Sequence, residues 1–140
     1  MPILLFFCLF LFIPAVCMAD GKPFAPESID GVVVVTAEEA IELILDNPDM
    51  PIIDSRKKTE YHKGHIEGAV SLLNTEMTEA DMQAIAPDRD VAILFYCNGV
   101  RCLRSTDAIG KVKGWGYNNL FWFRGGWKEW SAKRLPFVTE

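Results

Sequence analysis

Apolar residues in this chain gather into short runs separated by amphipathic stretches. The runs are Val32 to Val35, Pro51 to Asp54, Ala69 to Leu73, Val91 to Tyr96 and Leu120 to Phe123. A short run without polar alternation predicts a strand covered on both faces. Val32 to Val35 is apolar throughout and is expected to be covered in this way. Val91 to Tyr96 is the strongest run, six residues without a charge, and it stops abruptly at Cys97-Asn98-Gly99.

The stretches between carry helix signals. Thr36 with Glu39 fits a capping box. The helix after it is expected to reach about Leu45, burying Ala37, Ala40, Ile41, Ile44 and Leu45, and to end at Asn47-Pro48. Ser55 to His62 is polar and suits a helical turn. Thr78 caps a helix from Glu79 to Ile85. Another is expected from Leu103 to Val112, with Ala108, Ile109 and Val112 inward. A last short helix centres on Trp127 and Trp130. Alternating strands and helices predict an α/β fold: an open, five-stranded, mainly parallel sheet with helices on both faces. Ligands of such sheets bind at the carboxyl ends of the strands, where the loop after Tyr96 lies.

Composition narrows the picture. The 140 residues suit one domain, and half of them are hydrophobic, enough for a sizeable core. The net charge is −5 and no basic stretch suggests a nucleic-acid partner. Residues 1–19 carry no charged side chain, and Ile3 to Ile13 has the length of a signal-peptide h-region. Cleavage after Ala19 places the mature protein in the periplasm or outside the cell. A retained anchor facing the periplasm is the alternative, and the only reading with a membrane contact; lipidation at Cys17 is a third. Residues 20–31 read as an extended lead-in, and 32–140 as the globular domain. Cleavage removes Cys8 and Cys17 and leaves Cys97 and Cys102, in a compartment where disulfides persist.

The segment Cys97-Asn98-Gly99-Val100-Arg101-Cys102-Leu103-Arg104 has what a thiolate nucleophile needs. Cys97 leaves a buried strand, so its position is rigid. Asn98-Gly99 permits a sharp turn. Successive N–H groups are expected to curl round the Cys97 sulfur as an anion nest, and a helix start with Arg101 and Arg104 adds positive charge. Each feature lowers a thiol pKa. Plainer readings stand beside this one: Cys97 as a small buried hydrophobe, or Cys97 and Cys102 as a structural disulfide.

Three ordered signatures resemble the rhodanese family of sulfurtransferases. The first is Asp54-Ser55-Arg56, Glu60-Tyr61 and Gly64-His65-Ile66-Glu67-Gly68-Ala69; the second is Tyr96-Cys97. The third is Gly116-Tyr117, Leu120 and Arg124-Gly125-Gly126-Trp127 with Trp130. The resemblance spans roughly Val32 to Leu135 and implies a single rhodanese-like domain with Cys97 as nucleophile. It implies that Cys97 takes the outer sulfur of a small anionic donor such as thiosulfate. The resulting persulfide, cradled by the loop from Asn98 to Arg104, passes its sulfur to a thiol or cyanide. It implies no metal and no organic cofactor.

The loop reaches Arg104-Ser105 later than family loops reach their corresponding pair, and it holds a second cysteine. An Asn-Gly-x-x-Cys loop resembles a subset of exported rhodanese-like proteins. Cys102 is a candidate redox partner that resolves the persulfide as a Cys97–Cys102 disulfide, reset by a periplasmic reductant; a sulfur relay and adventitious oxidation are its other readings. The rival functions are a thiol–disulfide redox protein, a non-catalytic binding domain, and a phosphatase. Cell-cycle dual-specificity phosphatases share the fold but place one residue fewer between Cys and Arg than the six here. Asp54, Arg56 and Glu60 are expected to form a structural ion-pair network. His62 and His65 are expected to be structural, and the tryptophans to be core, with Trp127 or Trp130 candidates for the pocket mouth.

Overall fold

A computed structural model of the chain describes residues 21 and 23–140. The elements run β1 (Val32–Val35), α1 (Ala37–Asp46), β2 (Ile52–Asp54), α2 (Lys58–Lys63), β3 (Ala69–Ser71), α3 (Glu79–Ile85), β4 (Ile93–Tyr96), α4 (Arg104–Gly114), β5 (Leu120–Phe123) and α5 (Gly126–Ala132). The strands form one sheet in the order β1-β5-β4-β2-β3, and every pairing is parallel. The expected signal peptide or anchor at residues 1–19 lies outside the described residues. Among the described residues no helix is long and apolar enough to cross a membrane.

Helices cover both faces. Ile93 and Phe95 of β4 point to one side, against Met82 and Ala86 at α3 and Ala108, Ile109 and Val112 of α4. Leu94 and Tyr96 point to the other, against Ala37 and Ala40 of α1, Tyr61 of α2 and Trp130 of α5. This two-residue alternation makes β4, central in the sheet, buried at every position. The caps expected at Thr36 and Thr78 form as full capping boxes, closed by Glu39 and Asp81.

Two expectations about burial fail at the sheet edge. β1 is an edge strand, and Val33 and Val34 are 54% and 36% exposed rather than covered on both faces. Leu45, expected inside, is 73% exposed at the end of α1. The helices centre on β4, so apolar residues farther out lack a covering layer. The helix expected from Leu103 begins at Arg104, with Leu103 as its cap.

Candidate active site

β4 carries the chain to Cys97 at the carboxyl end of the sheet. In the register there, Asp54, Tyr96 and Phe123 lie side by side. Asp54 and Arg56 are both buried. The Arg56 guanidinium forks onto the Asp54 carboxylate, with Nη2–Oδ2 at 2.6 Å, and also donates to the Gly64 carbonyl at 2.7 Å. The Tyr96 hydroxyl donates to the same carboxylate at 2.6 Å and accepts from the Ile66 amide at 3.2 Å. Burial, then the Asp54 charge, pushes the Tyr96 phenol far above its ordinary range. Arg56 also lies over the rings of Tyr96 and Trp127, at 5.7 and 4.6 Å. Asp54 and Arg56 thus form the expected structural ion pair and secure the strand ends beneath the cysteine loop, whereas Glu60, expected to join them, pairs with Asn98 and Arg104 of the loop itself.

Backbone contacts hold the loop. The Cys102 amide donates to the Gly99 carbonyl at 2.9 Å, closing a turn. The first amides of α5 then grip it: Trp127 N donates to Cys97 O at 2.8 Å, and Lys128 N to Asn98 O at 2.9 Å. This grip requires bare backbone. Gly126 has φ +57°, and a Cβ there would lie 2.3 Å from the Cys97 carbonyl oxygen. Asn98 Nδ2 donates to Glu60 Oε1 at 2.9 Å, and Arg104 Nη1 lies 3.6 Å from Glu60 Oε2. Burial opposes ionisation of Glu60, but the Asn98 amide, the Lys57 N–H and the Arg104 charge hold its pKa below the usual value. On the outer side, Ala25 N donates to the Val100 carbonyl at 2.7 Å. The lead-in is therefore tied to the loop, and Arg124 ties it again through the carbonyls of Ala25 and Pro26.

The two thiols share this loop unequally. Cys97 is 2% exposed. Its Sγ donates to the Cys102 carbonyl at 3.3 Å and lies 3.1 Å from Ser105 Oγ. Trp122 Nε1 donates to that hydroxyl at 2.9 Å, leaving the hydroxyl proton free to face the sulfur. The neighbouring Cys102 thiol, and then burial, push the Cys97 thiol up, although the Ser105 hydroxyl and N–H oppose the rise. The Cys97 thiol in turn lowers Cys102 to about 5 against the cost of burial, helped by the N–H groups of Arg104 and Asn98 and by the Arg104 charge. The two thiols titrate as a coupled pair.

In place of the expected ring of amides, the bonds of the Cys97 sulfur are to the Ser105 hydroxyl and the Cys102 carbonyl. Arg104 Nη1 is 3.9 Å from the Cys102 sulfur. Arg101, also expected beside Cys97, instead lays its guanidinium over the Phe24 ring at 4.1 Å.

A cavity of 620 Å³ opens over the loop, lined by every residue from Asn98 to Arg104 with Asn74, Asp107 and Lys128. Its charged groups are Arg101, Arg104 and Lys128 against Asp107 alone, a balance that suits an anion. Cys102 lines the cavity and Cys97 does not. Neither Trp127 nor Trp130, the candidates for its mouth, lines it; as the plainer reading expects, Trp130 is core and Trp127 packs against it over Arg56. His65 is buried, stacked on Tyr61, with Nδ1 2.9 Å from the Tyr61 carbonyl. Ser105 and Gly126 are site residues that pattern reading did not assign. A helix-start serine has many uses, and only the fold brings Gly126 against Cys97.

Comparison with known proteins agrees with this fold. The family model described as "Rhodanese-like domain" matches residues 36–133. YibN of Escherichia coli K12 is 28% identical over 108 residues, covering 76% of this chain and 73% of YibN. The tRNA uridine(34) hydroxylase of Citrobacter koseri is 32% identical over 122 residues, covering 83% of this chain but only 33% of the hydroxylase. A crystal structure of thiosulfate sulfurtransferase from Pseudomonas aeruginosa superposes with a TM-score of 0.64 at 24% identity, over 77% of this chain and 20% of that one. With the family model running from the start of α1 to the end of α5, through four of the five strands, and Cys97 at the carboxyl end of the central strand, the chain belongs to the rhodanese-like domain family.

Proposed function

We propose that this protein is a sulfurtransferase in which Cys97 accepts a sulfane sulfur from a small anionic donor such as thiosulfate and passes it to a thiol. The observation that carries the reading is the placement of Cys97. Its sulfur sits at the end of the central strand, between the Ser105 hydroxyl and Cys102, next to a cation-lined cavity.

The neighbouring thiols supply the activation. The Cys102 thiolate takes the Cys97 proton, as a general base activates a nucleophile. A donor in the cavity displaces the Cys102 side chain from above Cys97. The Cys97 thiolate then attacks the outer sulfur of thiosulfate; the S–S bond breaks and its electron pair leaves with sulfite. The products are a Cys97 persulfide anion, a Cys102 thiol and sulfite, with no net proton exchanged. Arg101, Arg104 and Lys128 offset the charge of the donor and of departing sulfite. The Ser105 hydroxyl donates to the sulfur that carries the charge.

The apolar segment at residues 1–19 supports an exported protein, and mass spectrometry of the mature N-terminus tests that part: Asp20 first is the expected result, and intact Met1 contradicts it. The activity is tested by incubating the reduced protein with thiosulfate and measuring released sulfite alongside intact mass. Sulfite equimolar with protein is expected from the parent and none from Cys97→Ala. Equal sulfite release from Cys97→Ala would move the nucleophile to Cys102.

A further inference from the structure

We infer that Cys102 is a resolving thiol: it attacks the Cys97 sulfur of the loaded enzyme, expels the sulfane sulfur as hydrosulfide, and leaves a Cys97–Cys102 disulfide that a dithiol reductant resets. This rests on the proposed loading of Cys97 and names the immediate fate of the transferred sulfur.

Placement is the first argument. The Cys97 sulfur donates to the Cys102 carbonyl at 3.3 Å, and only four residues of a tight loop separate the two cysteines. The Gly99–Cys102 turn and the two bonds from the start of α5 hold the loop in that shape. An internal thiol therefore reacts without a bimolecular encounter, an advantage that well-oriented intramolecular groups turn into very large effective concentrations. Access is the second. Cys97 is 2% exposed, whereas Cys102 is half-buried and lines the cavity. Cys102 is thus the thiol on the cavity side of the pair. The charge pattern is the third. Arg104 lies 3.9 Å from the Cys102 sulfur, and Arg101 and Lys128 line the space into which an anionic leaving group departs. The depressed pKa of Cys102 agrees with its readiness to react as thiolate.

The step balances. The persulfide anion on Cys97 and the Cys102 thiol become one disulfide and one hydrosulfide ion. The bond between the Cys97 sulfur and the sulfane sulfur breaks, the Cys97–Cys102 bond forms, and the Cys102 proton leaves on the expelled sulfur. A dithiol then reduces the disulfide, becoming a disulfide itself and returning both thiols.

The test is a single turnover without oxygen or added acceptor. Reduced full-length protein is mixed with one equivalent of thiosulfate, and sulfide, intact mass and alkylatable thiols are followed. The expected parent product has one equivalent of free sulfide, neither Cys97 nor Cys102 open to alkylation, and a mass below the reduced chain by the two thiol hydrogens. Cys102→Ser and Cys102→Ala, which lack the proposed base and are therefore loaded with inorganic polysulfide, are expected to keep the added sulfur on Cys97 and release sulfide at least about tenfold more slowly than the parent loaded in the same way. A parent protein that holds the added sulfur with Cys102 free to alkylate overturns the inference, as does sulfur mapped to Cys102. Failure of thiosulfate to load the parent counts instead against the proposed donor. The persulfide is then written with inorganic polysulfide, and the same two parent outcomes decide.

Discussion

Gly126→Ala is the most direct probe of how the fold makes the site. The added methyl would sit 2.3 Å from the Cys97 carbonyl oxygen and 2.9 Å from the Gly99 nitrogen. Both are backbone atoms, so no side-chain rotation relieves the overlap. The residue must also hold φ +57°, which costs an L-residue about 1–2 kcal/mol. Relief requires the start of α5 to withdraw from the loop, breaking the bonds from Trp127 N to Cys97 O and from Lys128 N to Asn98 O. Each is worth about 0.5–1.5 kcal/mol. The total loss is about 2–5 kcal/mol, a large share of an ordinary domain's stability. The assay is urea unfolding followed by tryptophan fluorescence, with an expected fall in midpoint of roughly 1–3 M. Sulfur loading of Cys97 should fall with it, because the same two bonds fix the nucleophile. Gly110→Ala is the control: no atom lies within 4 Å of its added methyl, and the site is inside α4. It should gain about 0.5–1 kcal/mol. The reasoning is refuted if Gly126→Ala unfolds at the parent midpoint and loads sulfur at the parent rate.

Three further perturbations separate the network, the serine and the thiol pair. Arg56→Met leaves the buried Asp54 charge without its fork and should cost about 3–5 kcal/mol by urea unfolding; adding Asp54→Asn should recover much of the loss. Ser105→Ala strips the Trp122 N–H of its acceptor and the Cys97 sulfur of a donor. It should cost about 1–3 kcal/mol and slow sulfite release in stopped-flow mixing. Cys102, lowered to about 5, should react with iodoacetamide well below neutral pH, whereas in Cys97→Ala its titration should move up toward about 8.5. Between those two values Cys102 is ionised when folded and protonated when unfolded. The unfolded chain then binds the extra proton, so the contribution of Cys102 to stability rises with pH across that window and is lost as pH falls through about 5. Peptide mapping of the alkylated thiols at stepped pH checks the titration.

What was legible in the sequence, and what was not, divides by the range of the forces involved. The capping boxes at Thr36 and Thr78 depend on residues three apart, and they form as the local pattern requires. The same holds for the buried strand before Cys97, whose unbroken apolar run has only one comfortable place in a parallel sheet. Val33 and Leu45 show where local pattern stops. Their hydrophobicity says that burial is favourable, but neighbours distant in sequence decide whether any cover exists, and at the sheet edge it does not.

By itself, the sequence determined the alternation of strands and helices, the position of Cys97 at a strand end, and the ordered signatures that mark the family. Only the tertiary structure decided how the loop's charge is shared. The Arg104 guanidinium, which the linear order places near both sulfurs, lies beside Glu60 and the Cys102 sulfur. Only the fold brings Gly126 against Cys97, Trp122 under Ser105, and the lead-in at Ala25 onto Val100. Hydrogen bonds and desolvation act over a few ångströms and in fixed directions, so the ionisation of a thiol depends on three-dimensional neighbours that spacing along the chain does not specify.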